Sequence, residues 1–78
     1  MKEKGMTCVE AARILIRRWP VGTEKTGGRI EREIRKILFE SNSEEYPSGN
    51  TIMRRFRENK PASITSTMHG KDSRYIKQ

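Results

Sequence analysis

The sequence predicts a small α+β fold that is mainly helical, with three helices followed by one small β-hairpin. Before Pro61, apolar residues recur every three or four positions in three separate segments, which is typical of amphipathic helices. After Pro61 they alternate with polar residues among several β-branched side chains, which favours paired strands. A chain of 78 residues has room for one small domain, which excludes the large catalytic barrels and dinucleotide-binding sheets.

The first predicted helix spans about residues 7–19. Thr7 and Glu10 have the spacing of a capping box, in which the hydroxyl and the carboxylate each satisfy a free backbone amide. The apolar stripe of this helix consists of Val9, Ala12, Ile16 and Trp19, widened by Ala11 and Leu15. Pro20 ends the helix because proline cannot continue the backbone hydrogen bonding. Ile14 points away from the stripe and is a candidate for covering a neighbouring element or contacting a second subunit.

The second predicted helix spans about residues 27–40. Residues 20–28 lead into this helix and include its first two residues. They are rich in glycine and threonine and predict a turn-rich connection, with Thr26 as the N-cap. The apolar positions of the helix are Ile30, Ile34, Ile37 and Leu38. Residues 40–47 then break the pattern and are predicted to form a loop.

The third predicted helix spans about residues 48–59, with good capping residues at its start and Pro61 as its stop. Its apolar face consists of Ile52, Met53 and Phe56. At roughly 100° per residue, the opposite face consists of Asn50, Arg54 and Arg57. Arg55 lies on the flank between the two faces.

Residues 62–77 predict a β-hairpin. One side of its first strand consists of Ala62, Ile64, Ser66 and Met68. The segment from His69 to Asp72 is a turn candidate, after which residues 74–77 pair back as the second strand. The predicted hairpin therefore has a basic tip.

The charge is strongly positive and unevenly distributed. The chain has 17 basic and 10 acidic residues, a net charge of +7 and an isoelectric point near 10.1. Residues 48–78 contain seven basic and two acidic residues, whereas residues 40–47 contain three acidic residues and no basic one. This asymmetry indicates a polyanion-binding end, although solubilisation of a small surface explains the bulk excess equally well.

Three short helices followed by a hairpin, with a cationic face on the third helix, are similar to the winged helix-turn-helix domain of small bacterial and phage proteins. The segment 46–58, YPSGNTIMRRFRE, resembles the recognition-helix region of that family, in which a Pro/Ser/Thr-rich entry precedes an apolar, arginine-rich helix. The resemblance covers most of residues 7–77. It implies a single three-helix winged helix-turn-helix domain, preceded by a flexible N-terminus of residues 1–6.

The resemblance implies that the third helix lies in the major groove of DNA, where arginine and asparagine bind base edges through paired hydrogen bonds. The predicted base contacts are Asn50, Arg54 and Arg57. Further DNA contacts are predicted around this helix and on the hairpin, at Ser48, Thr51, Arg55, Lys60, Lys71 and Arg74. Arg29, beside the free amides at the start of the second helix, adds a phosphate contact. In a simpler interpretation, Ser48 and Thr51 are only caps and the arginines form a solvated face.

Catalysis and metal binding have little support in the sequence. Cys8 is the single cysteine, which excludes an internal disulfide and favours a cytoplasmic location. Because it lies in an apolar-faced helix, we predict a core thiol rather than a nucleophile. His69 is the single histidine, so a site of several Cys and His ligands cannot form. We therefore predict no enzyme, metal site, cofactor or small-molecule substrate, and the short apolar runs predict no membrane span.

These observations favour a cytoplasmic protein that binds double-stranded DNA, as a small transcriptional regulator or a DNA accessory factor of a mobile element. One domain of this size specifies few base pairs, which favours a homodimer on a palindromic site. Two other hypotheses remain open. One is a protein-interaction module that uses loop 40–47 or the basic helix. The other is RNA binding, which would stack bases on exposed Tyr46 and Tyr75.

Overall fold

A computed structural model describes residues 5–69 and 72–78, with backbone alone at residues 68, 69 and 72. The elements in chain order are α1 (Cys8–Arg18), β1 (Glu24–Thr26), α2 (Gly27–Glu40), α3 (Gly49–Asn59), β2 (Ile64–His69) and β3 (Asp72–Lys77). The predicted fold class, mainly α with a small β-hairpin, is confirmed. The predicted turn residues Gly70 and Lys71 lie outside the described residues, as do residues 1–4 of the predicted flexible N-terminus.

Each helix begins at a hydroxyl side chain that accepts a hydrogen bond from a backbone amide three residues further on. Thr7 caps α1, Thr26 caps α2 and Ser48 caps α3. Such caps satisfy one of the amides that the first helical turn leaves free. Because cap signals can be recognised in a sequence, the predicted helix bounds differ from the observed ones by at most one residue.

The capping box predicted at the start of α1 is only half correct. The Thr7 hydroxyl accepts from the Glu10 amide at 3.2 Å, as expected, but the Glu10 carboxylate accepts from that same hydroxyl rather than from a backbone amide. The amide of Cys8 instead donates to the carboxylate of Glu45 at 2.9 Å. A residue 37 positions away therefore completes this helix start, which no local pattern could indicate.

The sheet contains one strand more than the predicted hairpin. Its order is β1-β3-β2, with both pairings antiparallel. The prediction that residues 20–28 form only a connection is therefore wrong at β1, where Lys25 pairs with Tyr75. The two hairpin strands extend further than predicted, since His69 and Asp72 are paired as strand residues. β1 was missed because Glu-Lys-Thr has no apolar alternation.

An ion pair between a buried lysine and a partly exposed glutamate holds β1 against the helices. The side chain of Lys25 is 8% exposed, and its Nζ lies 2.8 Å from Oε1 of Glu33 on α2. The same ammonium lies 5.6 Å from the ring centroid of Trp19, within the range of a cation–π interaction. A lysine is buried here because a carboxylate and an aromatic face replace its lost water.

The core lies where the three helices meet the sheet. Its buried members are Cys8, Ala11, Ala12, Leu15, Trp19, Ile30, Ile34, Leu38, Ile52, Phe56, Ile64 and Tyr75. The ring of Phe56 stacks at 6.2 Å on Trp19 and meets the edge of Tyr75 at 5.1 Å. The predicted core positions of Trp19 and Phe56 are confirmed. Tyr75, one of the two tyrosines considered for base stacking in the RNA-binding hypothesis, is only 2% exposed and so is not available for stacking.

The buried stripe of α1 is rotated slightly from the predicted one. Val9 and Ile16 are only partly buried, whereas Cys8, Ala11 and Leu15 are fully buried. The rotation follows from the packing of α1 against both α2 and α3, which together cover a wider face than a single stripe. Cys8 is thus a core thiol, as predicted.

Candidate nucleic-acid interface

The outer face of α3 is cationic and exposed. Asn50, Arg54 and Arg57 are all exposed, as expected for the side opposite the fully buried Ile52 and Phe56. None of the described carboxylates lies within 4.0 Å of the Arg54 or Arg57 guanidinium. Both groups are therefore available to an external anion.

Arg57 lies at a junction of three elements. It lines a concave surface of about 410 Å³ together with residues at the start of α2 and in β3. The other lining residues are Thr26, Gly27, Gly28, Met53, Ser73 and Tyr75. Helix α3, the amino end of α2 and the third strand thus face one common space.

The amino end of α2 adds positive potential to this space. Its first turn contains no acidic residue, and the backbone is open at Gly28, where nothing lies within 4 Å of an added Cβ, although at Gly27 such a Cβ would lie 3.5 Å from Met53 Cε. Free amides and the helix dipole at such an end attract anions. The predicted Arg29 lies here, with a 65% exposed side chain and its Nε 3.9 Å from Oε1 of Glu33.

A second basic concavity of about 510 Å³ adjoins the first one at Thr26 and Gly28. Arg32 and Lys36 line it together with Arg29. Arg32 and Lys36 were not among the predicted contacts, although the spacing of three and four along the helix places them on one face with the predicted Arg29. That spacing was the signal that could have identified them, whereas nothing local marks Ser73.

The amino end of α3 is less open to an anion than that of α2. The Ser48 and Thr51 hydroxyls lie 3.1 Å apart, and the Ser48 oxygen also accepts from the Thr51 amide. The Glu31 carboxylate packs so closely on Gly49 that a Cβ there would lie 2.9 Å from Glu31 Cδ. The helix start therefore already has a negative partner; the Ser48 hydroxyl is the cap, and the Thr51 hydroxyl is engaged with it.

The remaining predicted contacts are separated from the α3 face. Arg55 lies toward α1, where its charge acts on the Cys8 thiol. Lys60 is half-buried and donates to the Ile64 carbonyl at 2.8 Å. Arg74 is half-exposed and lies 3.1 Å from the Glu24 carboxylate across the sheet. Lys71 lies outside the described residues.

The described residues contain no cluster of three His, Cys, Asp or Glu side chains that could hold a metal ion. Within the same part of the chain, no helix has the length and apolar character needed to cross a membrane. No protein-family model, curated protein or solved structure matches the chain.

Proposed function

We propose that this chain is a winged helix-turn-helix protein that binds double-stranded DNA, as a small transcriptional regulator or a DNA accessory factor of a mobile element. The observation that carries the proposal is the shared concave surface, in which Arg57 of α3, the amino end of α2 and the strand β3 converge. Convergence of a basic helix with a second anion-attracting element suits a long, uniformly charged ligand.

In this proposal α3 enters the major groove. Its 11 residues extend about 16 Å, and the groove is wide enough to admit one helix. Arg54 and Arg57 offer bidentate donors to guanine, and Asn50 can pair with adenine. The amides of Gly27 and Gly28, with Arg29, hold the adjacent phosphates and so fix the depth of the helix in the groove.

The hairpin is proposed to contact the backbone or the minor groove beside this site. Ser73 lines the concavity together with Arg57, whereas Arg74, the next residue of β3, has its side chain on the opposite face of the sheet. The Glu24 carboxylate holds Arg74 in place across the sheet, and an exposed pair of this kind exchanges readily with a phosphate partner. We assign no catalytic or cofactor chemistry to this surface.

RNA binding is less well supported than DNA binding. Base stacking requires exposed aromatic rings beside the cationic surface. Tyr75 is buried beneath the concavity, and the exposed Tyr46 does not line it but lies in the acidic loop 40–47. A cytoplasmic location is part of the proposal because the single cysteine is a buried free thiol, as is common in reducing compartments.

The proposal is tested by measuring fluorescence anisotropy with a random duplex at two salt concentrations. With about six to eight phosphate contacts, affinity should fall on the order of a thousandfold between about 50 and 200 mM salt. The double substitution Arg54→Ala, Arg57→Ala should weaken binding by about tenfold or more and flatten the salt dependence. Absence of wild-type binding at the lower salt would refute the proposal.

The matched control is Arg13→Ala, Arg17→Ala, which removes two exposed arginines from α1 and thus the same net charge. If the surface around α3 binds DNA, this control should retain nearly wild-type affinity. Equal losses of affinity in the two variants would show that binding depends on the net charge of the protein. Such a result would contradict the placement of α3 in the major groove.

A further inference from the structure

Three cationic side chains form one exposed face of α2. Arg29, Arg32 and Lys36 follow one another at intervals of three and four residues, so they lie on the same side of the helix. All three are exposed, and together they line the concave surface of about 510 Å³ that adjoins the one beside Arg57. We call Arg29, Arg32 and Lys36 the basic face of α2.

The positive charge of this face is largely uncompensated. None of the described carboxylates lies within 4.0 Å of the Arg32 guanidinium or the Lys36 ammonium. Glu33 lines the same concavity, but its Oε1 lies 2.8 Å from the buried ammonium of Lys25 and 3.9 Å from Nε of Arg29. Because Lys25 offsets the charge of Glu33 from inside the protein, the basic face keeps its own charge toward solvent.

The basic face begins beside the proposed α3 site and ends before the last turn of α2. Its concavity meets the one that Arg57 lines at Gly28. Four residues beyond Lys36, on the same side of the helix, lies the exposed carboxylate of Glu40, where the sign of the charge reverses. From Arg29 to Lys36 the face extends about 10 Å along the helix, a length over which one DNA strand places about three phosphates along its axis.

The packing of α2 on α3 decides which part of a DNA duplex the basic face can reach. The two helices are in contact, and a helix with its side chains is about 10–12 Å across. The major groove is about 12 Å wide, so it admits one helix and not two. With α3 in the groove, α2 lies over the sugar-phosphate backbone at the edge of that groove. There arginine and lysine contact phosphates rather than base edges.

We propose that the basic face of α2 binds phosphates of the DNA strand that borders the groove occupied by α3, and that it adds affinity without sequence preference. This inference rests on the proposed DNA binding and adds Arg32 and Lys36 to the residues that contact the duplex. It divides the interface into two parts, since α3 contacts base edges whereas α2 holds the backbone. Because phosphates are the same at every sequence, loss of the α2 contacts should weaken binding to all duplexes alike.

Fluorescence anisotropy with a random duplex over a range of salt concentrations tests the contact, using the double substitution Arg32→Ala, Lys36→Ala. Loss of two phosphate contacts should make the slope of log affinity against log salt shallower by about 1.8, and should weaken binding by about tenfold to a hundredfold at about 0.1 M salt. The control Arg13→Ala, Arg17→Ala removes the same charge from exposed positions on α1 and should leave the slope nearly unchanged. Circular dichroism checks that both variants are folded.

Selection of bound duplexes from a random pool tests whether the α2 contacts carry sequence preference. The wild type and Arg32→Ala, Lys36→Ala should select the same sequences, whereas Arg54→Ala should relax the preference at the base pair that it contacts. A different set of sequences selected by the α2 variant would contradict a role confined to the backbone.

The outcomes distinguish failure of this inference from failure of the proposed function. A salt slope that is unchanged in Arg32→Ala, Lys36→Ala, or changed no more than in the α1 control, would overturn the role of α2. If Arg54→Ala, Arg57→Ala still lost affinity in the same assay, DNA binding by α3 would stand. Absence of wild-type binding at low salt would overturn both.

Discussion

Cys8 shows how a single side chain can be assigned a role by its surroundings. Burial raises the pKa of its thiol above the ordinary value of 9.0, the nearby Glu45 carboxylate raises this pKa further, and the Arg55 guanidinium opposes both effects. A thiol that holds its proton in this way is a poor nucleophile, because the thiolate is the reactive form. Cys8 therefore stabilises the packing of α1 rather than carrying chemistry.

This environment predicts a pH dependence of stability. The folded protein binds the Cys8 proton more tightly than the unfolded chain, so the thiol's contribution is present below pH 9.0 and is lost as pH rises through the folded pKa. Urea denaturation between about pH 7 and 10.5 should show the free energy of unfolding falling more steeply in the wild type than in Cys8→Ala. Parallel curves for the two proteins would contradict this assignment.

At the scale of elements, the acidic loop of residues 40–47 connects α2 to α3 and also stabilises the amino end of α1. Ser43 is buried and donates to the Met6 carbonyl, while Glu45 caps α1 through the Cys8 amide. A carboxylate at a helix start also interacts favourably with the helix dipole. The loop thereby fixes the amino end of α1, and with it the position of α1 against α3.

Removing this cap should lower stability measurably. Glu45→Ala should reduce the free energy of unfolding by about 1 kcal/mol, since it deletes a charge-assisted hydrogen bond to a helix amide. Glu44→Ala is the matched control, because Glu44 is the exposed neighbour with the same charge. It should change stability little. Equal effects of the two substitutions in urea denaturation would show that the loop acts through net charge and not through this bond.

A helix or strand can be predicted from the sequence when the residues that determine it are close together in the chain. Helix caps such as Ser48 and the stripe that buries Phe56 arise within a few residues, so all three helices were predicted closely. The strand β1 is formed by pairing with a segment some fifty residues away, and no local period marks it. The burial of Tyr75 could not be read from the sequence, because the helices packed on the sheet decide which side of β3 is buried.

The features of the candidate site also divide into those with a local signal in the sequence and those that depend on tertiary packing. The exposed face of α3 was predictable from helical periodicity, whereas its proximity to Gly27 and Ser73 depends on how three elements pack. The closeness of Glu31 to Gly49, which makes the start of α3 less open to phosphate, is likewise a tertiary feature. A sequence alone therefore identifies the cationic helix but not the concave surface to which it belongs.

At the scale of the whole molecule, charge is divided between regions of opposite sign. Exposed arginines lie on α3 and at the start of α2, whereas residues 40–47, which follow α2, contain three acidic residues and no basic one. The net charge of +7 thus describes no single surface. We expect a polyanion to bind the basic region and not the acidic loop.

The central claim, that DNA binds at α3 and the start of α2, is tested most directly by an NMR titration of the isotope-labelled protein with a short random duplex. We predict that shift changes are largest for Asn50, Arg54, Arg57 and the amides of Gly27 and Gly28, and weaken as salt is added. Phe39 and Tyr46, which are exposed beside and within the acidic loop 40–47, should change little. Changes centred on residues 39–47, or none at low salt, would contradict the claim.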